Sequence, residues 1–333
     1  MKAFIADRYR KNEPLRCGEM PEPVLGQGDV LVEIHAAGVN PLDAKIRDGA
    51  FKAFLPYRPP FILGHDVAGI VVAIGSTVRR FKPGDEVYAR PRDGRIGTFA
   101  ERIAIDQDDV ALKPDTLSME EAASIPLVAL TAWQALVERA GLEKGQKILI
   151  HAGSGGVGTA AIQLAKHLGA TVATTASATN MDLVKRLGAD IVIDYRKQEF
   201  DKLLSGYDVV LNSLDGATLR KSLDILKPGG KLISISGPPD PDFARERGLN
   251  WLLRQVMRLL SLGIRRRAAA RDIDYSFLFM RADGNQLGQI TALIDKGIIR
   301  PVVDHIFPFD DTNAALALVE TGRVKGKVVV KLR

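Results

Sequence analysis

Apolar residues fall along this chain in two rhythms, and the change between them divides it. In the first part they come in short runs: Val30–Ile34, Val67–Ile74, Glu86–Ala89 and Phe99–Ile105. Turn-forming clusters separate the runs, at Gly26-Gln27-Gly28-Asp29, Lys82-Pro83-Gly84-Asp85 and Arg92-Asp93-Gly94. Many short strands at this spacing predict a sandwich or partly open barrel. From Met119 the rhythm lengthens. Met119–Val137 predicts a helix, Lys147–Ile150 a short buried strand, and Thr159–Leu168 a helix with Ile162, Leu164, Ala165 and Leu168 near one face. Further strands are predicted at Thr171–Thr175, Ile191–Ile193, Asp208–Leu211 and Lys231–Ile235, with a helix at Leu219–Leu226. Strands alternating with helices predict a parallel sheet covered on both faces. Beyond it the pattern predicts helices at Arg247–Ile264, Gln286–Lys296 and Ala314–Glu320, and a closing strand at Gly326–Val330.

The rest of the chain is organised around Lys147–Ala170. Between its strand and its helix lies the turn Gly153-Ser154-Gly155-Gly156-Val157-Gly158. Strand, glycine turn and helix in that order are the context in which G-x-G-x-x-G marks a dinucleotide site. Without side chains the backbone can approach a pyrophosphate, and the helix N-terminus offers free N–H groups and a positive dipole end. An NAD-specific fold usually places an acid at the end of the next strand, to hold the ribose 2′-hydroxyl. Ala170–Asn180 contains none. A 2′-phosphate would meet no repulsion there, and Ser177, Asn180, Lys185, Tyr195 and Arg196 are available to receive it. NADPH is therefore the expected cofactor, ahead of NADH. Ligands in such sheets lie at the carboxyl ends of the strands, which adds Ser213, Leu214 and Ser236 as candidate cofactor contacts.

Composition narrows the class further. The chain has 333 residues, enough for two domains, with 46% hydrophobic and 26% charged residues. Its single cysteine, Cys17, excludes an internal disulfide and a four-cysteine zinc site, and fits a reducing compartment. The start MKAFIADRYR has no signal-peptide core, and no apolar run is long enough to span a membrane. A cytoplasmic location is expected. The net charge of +6 suits anionic ligands such as phosphates.

Five ordered motifs give the sequence a resemblance that covers nearly the whole chain. They are Gly38-Val39-Asn40-Pro41-Leu42-Asp43 with Arg47 and Gly49, Gly64-His65-Asp66-Val67-Ala68-Gly69, Phe81-Lys82-Pro83-Gly84-Asp85-Glu86-Val87, Gly97-Thr98-Phe99-Ala100-Glu101, and Ala122-Ala123-Ser124-Ile125-Pro126. Together with the glycine turn they resemble the medium-chain dehydrogenase/reductase superfamily, in its zinc-free quinone oxidoreductase (zeta-crystallin-like) branch. The resemblance implies an α/β protein: a Rossmann doubly wound parallel sheet plus a GroES-like β-rich catalytic domain. The expected boundaries are 1–124 for the GroES-like domain, 125–268 for the Rossmann domain and 269–333 for a return to the first, with the cofactor in the cleft between them.

The resemblance also distributes roles. Zinc-using members carry a cysteine where this chain has Asn40, a histidine matching His65, and a cysteine or acid near Leu127. Only His65 survives, and one imidazole cannot make a catalytic zinc site. No zinc is expected, and His65 is read as a turn histidine bonded locally. Losing the Lewis acid disfavours alcohol oxidation and favours reduction of an already electrophilic substrate. Asn40 is implied to line the nicotinamide end of the cleft, while Asp43 and Arg47 hold its loop by a charge-assisted bond. Many relatives carry a tyrosine where Phe51 stands, so Phe51 and Tyr57 become substrate-cleft candidates together with Phe277 and Phe279 of the segment Tyr275–Met280. Thr131 is implied beside the nicotinamide, Tyr195 matches a tyrosine of NADPH-binding members, and Lys327 lies near the cofactor side. Asn180 stands near where those members use lysine. Trp133 is read as core.

The expected activity is that of a zinc-independent, NADPH-dependent reductase passing hydride to a quinone or to the β-carbon of an α,β-unsaturated carbonyl. Enone or alkenal reduction without quinone activity is the narrower alternative. No side chain is assigned as catalytic acid; water or the ribose hydroxyl is left to supply the proton. A homodimer is expected. The segment Arg247–Arg267 is the unusual one, with a broad apolar face broken by Arg254 and Arg258 and followed by Arg265-Arg266-Arg267. It is read as a packed helix, over the cleft or at a subunit contact. A membrane-surface helix and a nucleic-acid patch are its sharper readings, and the second keeps a nucleotide- or RNA-binding protein without significant catalysis as the alternative from another class.

Overall fold

Thr131–Met280 carries the parallel sheet that the second rhythm predicts. The computed structural model describes residues 1–333, and the chain divides into two compact units, Met1–Leu130 with Arg281–Arg333, and Thr131–Met280. In the second unit six strands run parallel: Lys147–Ile150, Thr171–Ala176, Ile191–Asp194, Tyr207–Asn212, Leu226–Ser234 and Asp274–Phe277. Numbered within the unit, they lie in the order 3-2-1-4-5-6, the doubly wound order whose switch point falls beside the first strand. Leu149, Val210 and Leu232 on the central strands are wholly shielded from solvent. They pack with Leu219, Leu223 and Ile225 of the helix Gly216–Ile225 into one core.

The first unit is β-rich. Its largest sheet contains Asp29–Val39, Asp66–Ile74, Glu86–Ala89, Arg102–Asp106, Val110–Leu112, Val303–Pro308 and Lys327–Lys331. The long strand Asp29–Val39 pairs antiparallel with Asp66–Ile74, Arg102–Asp106 and Lys327–Lys331. The last pairing stitches the C-terminus back into the N-terminal fold. A second sheet joins Lys2–Ala6 to Arg16–Glu19 and Phe61–Ile62.

Several elements depart from the sequence expectation. Asp29–Val39 runs past Ile34 because Ala36, Ala37 and Gly38 find partners on both sides, although small residues give no strand signal. The helix expected over Met119–Val137 is three pieces: Met119–Ala123, Pro126–Trp133 and a π-helical stretch Gln134–Arg139. Pro126 cannot continue the first helix, since it has no N–H to donate. Trp133 is half-buried. Pro241–Glu246 is a separate helix ahead of the one expected over Arg247–Ile264, which is likewise divided, into Trp251–Leu260 and Leu262–Ala269. Asn250 starts Trp251–Leu260 by accepting the Leu253 N–H at 3.0 Å. The second unit extends beyond the expected end at residue 268, because Asp274–Phe277 is the sixth strand of its sheet. The return to the first unit comes at Arg281 and the entry to the second at Thr131.

Candidate functional site

Parallel pairing in register puts the carboxyl ends of the six strands in one row. Ile150 pairs with Thr174 and with Leu211, Ala176 with Asp194, Asn212 with Ser234, and Ser234 with Phe277. The residues that follow those ends therefore line up: the glycine turn, Ser177 to Asn180, Tyr195 and Arg196, Ser213 and Leu214, Ser236, and Phe279. These positions, scattered over more than a hundred residues of sequence, are brought to one edge of one sheet.

The glycine turn is tightly made. Ala152 sits in the left-handed region at φ 51°, and its N–H bonds to Thr175 Oγ1 at 3.0 Å. Gly153 donates to the Thr175 carbonyl at 3.0 Å. A Cβ on Gly153 would lie 3.0 Å from Ile162 Cδ1 and closer still to Thr174 Oγ1. A Cβ on Gly158 would lie 2.7 Å from the Cα of Gly153. Two glycines thus let the helix Gly156–His167 start hard against the strand. Gly155 is its N-cap and gives it no side-chain cap. The helices Gly216–Ile225 and Trp251–Leu260 of the same unit are capped by Asp215 and Asn250. The first N–H groups of Gly156–His167 are left to an outside acceptor, and the dipole makes that acceptor an anion. The residues present therefore fit a dinucleotide pyrophosphate.

Ser154 is tied to the end of the second strand, where Asn180 Nδ2 donates to its Oγ at 3.0 Å. Asn180 Oδ1 is buried and accepts no hydrogen bond. Ser177 is buried, with its hydroxyl 3.0 Å from that of Thr179. Tyr195 is exposed, and the Arg196 guanidinium lies 5.8 Å from the centre of its ring. Lys185 is exposed. Hydroxyl, amide and guanidinium groups meet here with no acid in Ser177–Asn180.

Asn212 organises the next two strand ends, and no sequence signal singled it out. It is fully buried, and its Nδ2 reaches Ser234 Oγ at 3.1 Å and the Leu214 carbonyl at 3.2 Å. Ser236 Oγ donates to the same carbonyl at 2.5 Å, and Ser213 Oγ donates to the His151 carbonyl at 3.3 Å. His151, beneath the turn, is also new. Its Nε2 lies 3.0 Å from Ser222 Oγ, and its ring packs edge-on against Phe200 at 4.7 Å. Burial pushes its pKa down to about 4, so it is neutral at pH 7. At the far end Phe277 is taken into the interior, edge-on to Phe243 at 5.1 Å. It fills core instead of lining a cleft. Phe279 stays half-buried, 4.9 Å from the Arg247 guanidinium. Thr131 is buried within Pro126–Trp133.

The first unit gathers a second set. Lys327 Nζ donates to Asn40 Oδ1 at 2.5 Å and to Asp66 Oδ2 at 2.8 Å. Asn40 Nδ2 donates to the same Asp66 oxygen at 2.9 Å, and Asp66 Oδ1 accepts the Leu127 N–H at 2.7 Å. All three side chains are buried. Asn40 is held inside a charged network, and Lys327 is its cation. Asp43 serves the same loop by accepting the Asn40 N–H at 2.7 Å. The bond expected between Asp43 and Arg47 is absent. Asp43 pairs with His65 Nδ1 at 2.5 Å, and Arg47 with Asp48 at 2.8 Å and Glu320 at 2.6 Å. Asp43 and Arg47 share a two-turn helix, Pro41–Arg47, and each faces a different neighbour. Phe51 and Tyr57 pack against the core that holds Val39 and Val328, the neighbours of Asn40 and Lys327. Phe51 lies 5.3 Å from Phe54, and Tyr57 stacks on Phe61 at 5.3 Å. The Tyr57 hydroxyl accepts the Gly94 N–H at 3.3 Å, and burial pushes its pKa up to about 12. No group of three or more His, Cys, Asp or Glu side chains is arranged to hold a metal ion.

A doubly wound sheet with a bare glycine-turn helix, carried on one chain with a β-rich unit, defines a nucleotide-dependent dehydrogenase or reductase. The comparisons with known proteins agree. Residues 26–115 match the family described as alcohol dehydrogenase GroES-like domain, and residues 187–330 the one described as zinc-binding dehydrogenase. The chain is 35% identical to "NAD(P)H oxidoreductase RTN4IP1, mitochondrial" of Danio rerio over 100% of its own length and 91% of the relative's. It is 35% identical to "NADPH-dependent alkenal/one oxidoreductase, chloroplastic" of Arabidopsis thaliana over 99% and 79%. The solved quinone oxidoreductase of Coxiella burnetii superposes with a TM-score of 0.87 at 31% identity, covering 100% of this chain and 99% of that one. This chain belongs to the medium-chain dehydrogenase/reductase superfamily, in its zinc-free quinone oxidoreductase branch.

Proposed function

We propose that this protein is a zinc-independent, NADPH-dependent reductase that passes hydride to a quinone or to the β-carbon of an α,β-unsaturated carbonyl. One observation carries the cofactor half of the reading: an uncapped helix N-terminus stands beside a strand end with no acid and with Tyr195 and Arg196 next to it. The amides from Gly156 onward receive the pyrophosphate, and the Ser154–Asn180 bond fixes the turn against the neighbouring strand end. Ser177, Lys185 and Arg196 take the 2′-phosphate, and Tyr195 covers it. Asn212 holds the Leu214 and Ser236 loops at one depth, so the strand ends present a rigid floor. When bound, NADPH supplies the hydride. The chain's contribution is orientation, which is worth several orders of magnitude in rate when donor and acceptor are held in line. The network of Asn40, Asp66 and Lys327 keeps the Asn40 loop in one arrangement.

The names of the relatives support the acceptor half, since they act on quinones and on alkenals and enones. Reduction of enones without quinone turnover is the narrower form of the same reading. A homodimer in a reducing compartment such as the cytoplasm belongs to the proposal too. Strand Asp274–Phe277 ends the parallel sheet with one edge unpaired, which a second copy can extend. Cys17 is a free thiol. Steady-state assay of the purified protein against a panel of quinones and enones, each with NADPH and with NADH, tests the reading. Saturable, stoichiometric NADPH oxidation with at least one class supports it, and inertness toward both classes removes it.

A further inference from the structure

The sequence pattern left one segment unexplained, and its helix Trp251–Leu260 packs little of its surface against its own chain. Trp251 is 73% exposed, Leu252 58%, Val256 43%, Leu259 70% and Leu260 62%. Only Met257 of this helix is buried, on the side turned toward the protein. At 100° per residue the outward arc runs from Leu260 through Val256 and Leu252 to Leu259, then past Gln255 to Trp251, and on to Arg258 and Arg254 at its rim. Four adjacent exposed apolar side chains, with a tryptophan beyond one polar residue and cations at the border, are unusual on a protein surface. The next helix, Leu262–Ala269, adds Arg265, Arg266 and Arg267.

The charge of the patch says what covers it. Arg247–Arg271 holds seven arginines and no aspartate or glutamate. Arg271 is matched by Asp224 at 2.8 Å, whereas Arg258, Arg265, Arg266 and Arg267 have no carboxylate within ion-pair distance. A second copy docking the same face would set these arginines against their own copies, a like-charge contact. A nucleic acid would match the arginines and leave five exposed apolar side chains without a use. We propose that the helices Trp251–Leu260 and Leu262–Ala269 dock onto an anionic lipid surface. The apolar arc enters the boundary between headgroups and acyl chains, and the arginines meet the lipid phosphates. Arg254 turns its Nε back to the Leu249 carbonyl at 2.7 Å, which leaves Arg258 as the rim cation to reach outward, as long cationic side chains do at an interface. No helix of the protein is long and apolar enough to cross a membrane, so the contact is peripheral and reversible.

The test uses the full chain and sedimentation with vesicles of phosphatidylcholine, with or without phosphatidylglycerol. Binding is expected to the anionic vesicles, with a blue shift of tryptophan emission, and to be far weaker on phosphatidylcholine alone. Each arginine at an anionic surface is worth roughly fivefold in affinity. The triple variant Arg265→Gln, Arg266→Gln, Arg267→Gln should therefore bind on the order of a hundredfold more weakly. The pair Leu252→Ser, Leu259→Ser should weaken binding by more than about tenfold and remove the emission shift. Arg265 is half-buried and the other four side chains are exposed, so an unchanged melting midpoint shows that the variants fold. Failure to bind anionic vesicles overturns the proposal, as does binding that both variants leave intact. RNA binding without vesicle binding, or self-association abolished by Leu259→Ser, overturns it in favour of the other occupants.

Discussion

Lys327 and Asp66 show most plainly what a single residue does here. They form a buried ion pair at 2.8 Å, with Asn40 bridging them. Removing one member strands the other charge away from water, which costs about 3–5 kcal/mol. Lys327→Met is expected to lower stability by that amount in urea unfolding, and the double variant with Asp66→Asn to cost less than the two single changes summed. Simple additivity would contradict the pairing. The pair was half legible in sequence. Asn40 and Lys327 were both singled out, yet 287 positions separate them, and no local pattern announces a bond of that span. Asp66 drew notice only as part of a turn motif. His151 and Asn212 were missed because a buried polar residue after an apolar run looks like the first residue of a loop. His151 makes a separate prediction. Its pKa is about 4 in the folded protein against an ordinary 6.5. The unfolded chain takes up the proton first as pH falls, so this contribution is complete above pH 6.5 and is lost toward pH 4, up to about 3 kcal/mol. Over that window the wild type should lose stability relative to His151→Gln; parallel curves would show that the buried imidazole is not the cause.

At the level of elements, the sequence speaks clearly where a strand is short, β-branched and bounded by glycine or proline. Glu86–Ala89 and Lys147–Ile150 are found at their predicted positions. It speaks poorly where pairing overrides composition. Asp29–Val39 continues through Ala36, Ala37 and Gly38 because they are paired on both sides, whereas Lys227-Pro228-Gly229-Gly230 is the turn it reads as, a bulge left unpaired between Leu226 and Lys231 with Gly229 at φ 75°. The turn at Gly153–Gly158 is the element on which the cofactor reading depends, and its demand for small residues is geometric. Gly158→Val would drive a side chain into the backbone of Gly153, 2.7 Å from its Cα. The helix would have to retreat from the strand, at a cost of about 1–3 kcal/mol from overpacking. NADPH affinity should then fall by at least an order of magnitude, since the amides lose their aim. Fluorescence titration of the variant checks this, and unchanged affinity would remove the turn from the site.

Across the whole molecule, the family was legible because several ordered motifs agree, each weak alone. The two-unit organisation followed from the change of rhythm. The point of return at Arg281 did not, because the sixth strand, Asp274–Phe277, is too short to mark which sheet it joins. The chemistry was legible chiefly through what the chain lacks: a cysteine in place of Asn40 and an acid between Ala170 and Asn180. Both point the same way, to NADPH and to an acceptor that needs no Lewis acid. The most direct test of that claim is isotope transfer. The purified protein is given NADPH deuterated at the reactive carbon of the nicotinamide together with an α,β-unsaturated ketone, and the product is read by mass spectrometry and NMR. The account predicts one deuterium at the β-carbon of the saturated product for each NADPH oxidised, with no metal added. Reduced product carrying no deuterium, or no product while NADPH stays intact with enones and quinones alike, would contradict it.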